Sequence, residues 1–394
     1  MKNICEDRMC AGCMACVDAC PKTAIAVEPC VDYYRPVIDR EKCIDCGMCK
    51  RVCQQLEPFE AVEPTDWFQG WDSVESSRGT SSSGGLAAAI ARGFVEHGGA
   101  VCSCEFSKGS FGFCVEDTVE GLARFKGSKY VKSDPTGAYR RVREVLAGGK
   151  SALFIGLPCQ VSSMRKSVPA KLAEDLYTVD LICHGSPSPR VLSSFLREQG
   201  LELDGLGSIA FRNKGSFQLR DGERFVDTPG VVDAYSVAFL AGLDYTENCY
   251  SCPYAKTERV SDITLGDSWG SELGDEVPGG ISLVLCQSEK GRRLLDWSGA
   301  TLKDVDVERA IENNGQLKAP SAMPAARDRF LALFAEGRPL PSIVRRCLPR
   351  AYYRQCLKRA LIKLGLLKRG GGYGLRVARE DAPEPPNATK PDRE

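Results

Sequence analysis

The chain has 394 residues, with 52 basic and 52 acidic side chains in balance, 43% hydrophobic content, and twenty cysteines against two histidines. A formal net charge of zero gives nucleic acid no global attraction, and no apolar run reaches the roughly 18 residues that a bilayer span needs. Residues 1–20 are polar and cysteine-rich, so no signal peptide is read there, and the cysteine count then predicts a reducing, cytoplasmic setting where thiolates serve metals.

Two runs open the chain, "CAGCMACVDACP" from Cys10 and "CIDCGMCKRVCQ" from Cys43. Cysteines three residues apart rarely pair with each other, and zinc spacings seldom repeat C-x-x-C-x-x-C, so disulfides and zinc give way to iron–sulfur ligation. The spacing resembles that of bacterial two-cluster ferredoxins, in which the fourth cysteine of each run serves the other cluster. The resemblance implies two 4Fe-4S clusters, one on Cys10, Cys13, Cys16 and Cys53, the other on Cys43, Cys46, Cys49 and Cys20. Small residues at Ala11, Gly12, Ala15 and Gly47 let backbone amides approach the sulfurs, while Gln54 departs from the pattern where a second proline would stand. Residues 1–57 are thus expected to form an α+β ferredoxin-like domain, followed at 58–66 by a linker rich in proline and acid.

From Trp67 onward the pattern alternates strand and helix. Apolar runs at Gly99–Phe106, Ser151–Gly156, Tyr177–Cys183, Asp262–Asp267 and Ile281–Cys286 read as buried strands, and the segments between them have helical spacing with glycine at their ends. An α/β domain is expected, with an N-terminal part over 67–150 and a C-terminal part over 151–340. "FIGLPCQ" and "DLICHGSPS" put Cys159 and Cys183 just past two strands, at the sheet edge where ligands usually sit. Cys249 and Cys252 in "ENCYSCPYA" have C-x-x-C spacing, so the four could hold a third cluster; buried small residues plus a dithiol are the other reading.

The ordered set "SSSGG", "GSKYVKS", "GLPCQ", "DLICHGSPS", "CYSCPYA" and "DITLGDSWG", spread over residues 67–325, resembles the coenzyme F420 hydrogenase/dehydrogenase beta-subunit family. The resemblance implies an α/β domain of that type, FAD, a 4Fe-4S cluster on Cys159, Cys183, Cys249 and Cys252, and electron transfer between iron–sulfur centres and an organic hydride carrier, F420-like or other. Flavin suits that exchange because it takes electrons singly and gives them up in pairs.

Ser82, Ser83, Gly84 and Gly85 stand directly before a helix, where free amides and the positive helix end suit a pyrophosphate; an ordinary serine cap is the alternative. Gly127, Ser128, Lys129 and Tyr130 add a cation for phosphate or reduced flavin and an aromatic face, although a turn lysine is usually just solvated. No GxGxxG follows a strand. His97 reads as a helix-end residue, whereas His184 beside Cys183 is the candidate for donating to sulfur or relaying a proton, a packed histidine being the alternative. His184 and Lys129 are therefore the catalytic candidates, and Asp267 and Trp269 border the same expected cleft. The remaining cysteines, Cys5 among them, read as buried small residues. Residues 341–369 form a basic amphipathic helix with Leu357, Leu361 and Leu364 on one face, suited to anionic lipid, an acidic partner or its own domain, and the tail over 370–394 is expected to be disordered. The whole predicts an iron–sulfur flavoprotein working with a redox donor or acceptor protein. The rival is an electron-transfer subunit without substrate chemistry that feeds a partner enzyme, one in polysaccharide biosynthesis for example.

Overall fold

In the computed structural model, which describes residues 4–367, the two cysteine runs wind the backbone alike. Gly12 and Met14 in the first run, and Asp45 and Gly47 at the matching places in the second, all take positive φ. Left-handed residues in such alternation curl the chain into a nest of inward amides, and the Gly12 amide donates to Sγ of Cys10 at 3.4 Å. Each run continues as a short helix, α1 (Ala15–Ala19) and α2 (Met48–Arg51), and between them β1 (Ile25–Pro29) and β2 (Tyr34–Ile38) form an antiparallel hairpin. A Cβ on Gly12 would lie 2.9 Å from the Tyr34 ring, so the first run needs glycine for both its turn and its packing.

Residues 58–66 join the two parts of the chain while lying against the second. Val62 and Arg259 exchange backbone hydrogen bonds of 2.8 and 2.9 Å, and the Phe59 amide donates to Ser162 Oγ at 2.8 Å.

The second part runs β3 (Asp66–Trp71), α3 (Glu75–Thr80), α4 (Leu86–Glu96), β4 (Ala100–Ser107), β5 (Ser110–Glu116), α5 (Ala138–Ala147), β6 (Ala152–Gly156), α6 (Pro158–Ser167), β7 (Leu176–Leu181) and α7 (Pro189–Glu198). A small antiparallel sheet of β8 (Ala210–Asn213), β9 (Ser216–Asp221) and β10 (Arg224–Phe225) precedes α8 (Ala234–Leu240). Then come β11 (Ile263–Asp267), β12 (Ser282–Cys286), α9 (Glu289–Ser298), β13 (Thr301–Asp304), α10 (Val307–Asn313), α11 (Arg327–Ala335), α12 (Leu340–Cys347) and α13 (Pro349–Lys363).

Eight of these strands form one sheet in the order β13-β3-β12-β11-β7-β6-β4-β5. Its centre, β11-β7-β6-β4, is parallel, and both flanks are antiparallel. The five expected strands are all present as β4, β6, β7, β11 and β12, but the sheet is mixed, because β3, β5 and β13 pair antiparallel at its sides. Parallel strands buried on both faces read as continuous apolar runs, whereas a flank such as β13, "TLKD", is half exposed and carries no such signal. Leu86, Ile90 and Phe94 of α4 pack with Leu294 and Leu295 of α9 on one face of the sheet. On the other face Tyr139 and Val142 of α5 and Val161 and Met164 of α6 meet Cys13, Ala15, Ala19 and Val52 of the N-terminal part in one apolar cluster.

That cluster docks the cysteine runs on the sheet, and a helix cap fixes the contact. The Asp18 carboxylate accepts from the amides of Gly137, Tyr139 and Arg140 at 2.7, 3.1 and 3.3 Å, so a side chain of one part satisfies the free N-terminal amides of α5 in the other. At the other end the basic segment expected as one helix over 341–369 is two, α12 and α13, because Pro349 cannot continue the first. Its last two residues and the whole of 370–394 lie outside the described residues.

Candidate functional site

Cys10, Cys13, Cys16 and Cys53 are buried, and Cys10, Cys16 and Cys53 share one cluster with Cys49. Cys20, Cys43, Cys46 and Cys49 line a single opening at the far end of the same module, where Cys46 is exposed and the Ala24 amide donates to Cys20 Sγ at 3.3 Å. Cys20 therefore lies with the first three cysteines of the second run, and Cys53 shares a buried cluster with Cys10 and Cys16. Cys5, read from the sequence as a small core residue, is a fifth thiol at the first set: its side chain hydrogen-bonds those of Cys10 and Cys53, and the bond to Cys10, followed in effect by burial, pushes its pKa up to about 12. Nothing in its spacing announces this, because it stands outside the repeat.

The other four candidates converge as well. Cys159, in the first turn of α6, Cys183, just beyond β7, and Cys249 and Cys252 line one opening at the carboxyl edge of the parallel strands. Burial pushes the pKa of Cys159 up to about 11 and those of Cys183 and Cys252 up to about 12. A metal cluster bound there would take these cysteines as thiolates. Thr246 Oγ1 lies 3.4 Å from Cys249 Sγ. Among the described residues no group of three or more His, Cys, Asp or Glu side chains is placed to hold a single metal ion. The second and third sets each line an opening, and soft thiolates in fours with amide and hydroxyl donors to sulfur fit 4Fe-4S ligation.

Lys132 lines the opening at the third thiol set and is 4% exposed. Burial opposes its charge, but Cys159, Cys249, Tyr34 and Cys183 around it hold its pKa above the ordinary lysine value. His184 lines the same opening from an exposed position, and its carbonyl accepts from Ser321 Oγ at 2.6 Å.

The first and third thiol sets are neighbours. Ser163 Oγ donates to Cys13 Sγ at 3.2 Å, and Ser163 stands one turn after Cys159 on the same face of α6, a rise of about 6 Å. Tyr254, two residues past Cys252, donates its hydroxyl to Gln54 Oε1 at 2.6 Å. Gln54 is 1% exposed, so the residue that breaks the ferredoxin pattern is the one that ties Cys53's loop to the C-x-x-C loop.

The residues assigned to the flavin are brought together in part. The Ser128 amide donates to Ser82 Oγ at 3.0 Å, which joins "SSSGG" to "GSKYVKS". A Cβ on Gly84 would lie 2.5 Å from the Gly70 carbonyl oxygen and 2.7 Å from the Ser282 amide, so that glycine lets α4 close against β3 and β12. Gly85, with φ of 87°, turns the chain into α4, and Gly127 is exposed. Lys129 Nζ donates to the carbonyls of Cys104, Phe125 and Lys126 at 2.8 to 3.1 Å, and burial lowers its pKa. Tyr130 stacks between Phe217 and Phe239. His97 Nδ1 lies 2.7 Å from the Gly93 carbonyl while its ring stacks on Trp297.

Two cations missed in the sequence border this seam. Lys214, at the β8–β9 turn, donates to the carbonyls of Arg78 and Ser83 at 2.5 and 2.9 Å, and Arg78 pairs with Glu276. Burial lowers the pKa of Lys214, and the charges of Arg78 and Arg212 lower it further. Arg212 is held by Asp267 at 2.6 and 2.8 Å, with Trp269 against its guanidinium.

Thiol sets in fours, one of them at the carboxyl edge of a mixed sheet, define an iron–sulfur electron-transfer protein of α/β design. Residues 149–304 match the family described as the C terminus of the coenzyme F420 hydrogenase/dehydrogenase beta subunit, and residues 36–55 match the 4Fe-4S binding domain. The match to the beta-subunit family thus covers the C-terminal part of the α/β domain, and the iron–sulfur match lies in front of it. A chain of the xenon-derivatized F420-reducing [NiFe] hydrogenase complex from Methanosarcina barkeri is similar at 17% identity and a TM-score of 0.47, over 67% of this chain and 97% of that one. No curated protein matches.

Proposed function

We propose that the protein is an iron–sulfur flavoprotein that passes electrons between a redox partner at its N-terminal module and an organic acceptor at the sheet edge. The adjacency of the thiol sets supports this above all: one set opens to solvent at Cys46, the next is buried behind it, and Ser163 links that one to the turn carrying Cys159. 4Fe-4S clusters held by these thiols would supply one-electron carriers, and FAD held near Ser82 and Ser128 would supply the exchange between single electrons and the pair a hydride acceptor needs.

The chain's own groups prepare each place. Burial of Cys13, Cys16 and Cys53 keeps water from the inner sulfurs, and Lys132 sets a positive charge beside the third set. Support for the flavin pyrophosphate lies in the excess of cations beside Ser82 and Ser128: Lys214 donates only to carbonyls there, and an anion would relieve its repulsion from Arg78 and Arg212. With Lys129 tied to three carbonyls, Lys214 and Ser82 are the better anion contacts, and His184, which lines the opening at Cys159 and Cys183, is the candidate proton donor.

Anaerobic purification followed by iron, sulfide and acid-released flavin assays tests the reading. About 12 iron and 12 sulfide with one FAD are expected. Lys214→Ala should weaken FAD about tenfold or more through a lost charged hydrogen bond while leaving iron unchanged. Full iron without any flavin would replace this reading with the electron-transfer subunit that feeds a partner.

A further inference from the structure

Helix α13 has side chains with apolar surface on two opposite faces. At about 100° per residue, Gln355, Arg359 and Ile362 fall on one side. There Gln355 accepts the Val232 amide at 3.1 Å, Arg359 pairs with Asp227 at 2.5 Å, and Ile362 is buried. Tyr353, Leu357 and Leu364 fall on the opposite side within an arc of ~40°, and they are 58, 62 and 72% exposed. Packing on its own domain accounts for the first face and leaves the second uncovered.

The charge around the uncovered face has one sign. Residues 341–367 hold seven basic and no acidic side chains, and Arg345, Arg346, Arg354 and Lys363 are exposed. Two copies of such a face repel each other, which disfavours self-association. Apolar side chains framed by cations are what interfacial helices present to anionic bilayers, their long basic stems reaching over the apolar stripe to the headgroups. We infer that the outer face of α13 seats the protein on an anionic membrane surface, with Tyr353, Leu357 and Leu364 at the headgroup boundary and the arginines on lipid phosphates. Among the described residues no helix is long and apolar enough to cross a membrane, so the contact proposed is with the surface. The segment lies outside the residues that match the family and is independent of the redox reading.

Co-sedimentation of the full chain with lipid vesicles tests the inference. Binding is expected to vesicles containing phosphatidylglycerol and not to phosphatidylcholine alone, to weaken with salt, and to fall about fivefold for each cation neutralised in Arg354→Gln and Lys363→Gln. Leu357→Glu with Leu364→Glu, both at exposed positions, should abolish binding with iron content unchanged. Equal binding of that variant and the wild type, or no binding to anionic vesicles, overturns the inference. A wild-type dimer that becomes monomeric in the same variant overturns it in favour of a second copy. Polyglutamate that displaces the vesicles and still binds the variant overturns it in favour of an acidic protein.

Discussion

Of the two lysines in "GSKYVKS", three residues apart, the first ties its ammonium to backbone carbonyls and the second faces three thiols. Sequence pattern offers no way to choose between them, because the choice is made by which side of the turn faces Pro187, whose carbonyl takes the Lys132 amide. A buried cation beside a cluster favours the extra electron. Lys132→Met should therefore move the third centre's midpoint to more negative potential, on the order of 100 mV if the charge is worth a few kcal/mol at an effective dielectric near 20. Anaerobic redox titration followed by EPR reads this directly, and an unchanged midpoint would leave Lys132 a packing residue.

At the scale of elements, α5 owes its N-terminus to a foreign side chain. Asp18 belongs to the cysteine-rich module, yet it caps α5 with three amide contacts, and its charge lies at the positive helix end. Asp18→Ala should cost about 1–2 kcal/mol, the range of a lost N-cap, and should loosen the module from the sheet. A lowered melting temperature together with faster proteolysis around residues 58–66 checks both effects; Asp18→Asn, which keeps the acceptor, should recover most of the loss. This contact was not legible beforehand, since a cap is recognised by neighbours in sequence and Asp18 lies far from α5. The central strands were legible for the opposite reason: β6 and β7 are buried on both faces, and continuous apolar composition is what that environment selects.

Over the whole molecule, the second cysteine run was the most readable feature, because 4Fe-4S binding domains fix both residue type and spacing. Cys5 escaped, lying outside the repeat, and Lys214 escaped because its role depends on a hairpin folding back onto the "SSSGG" turn. The crossed arrangement has a test of its own. Cys20→Ser should remove the EPR signal of the set at Cys43, Cys46 and Cys49, and Cys53→Ser that of the set at Cys10, Cys13 and Cys16, each with about four iron atoms lost. Loss of the same signal in both variants would contradict the crossing.

The seam at residues 58–66 decides what kind of carrier the N-terminal module is. A swinging arm needs slack, so that one end visits a donor and then an acceptor, and its turnover waits on the diffusion of a tethered domain. Here the strand-like bond between Val62 and Arg259, the Phe59 amide on Ser162, and Asp18 at α5 leave no slack to spend. The module is a fixed terminal: any partner would have to travel to it, and the distance from its thiols to those beyond the seam is set once, when the chain folds.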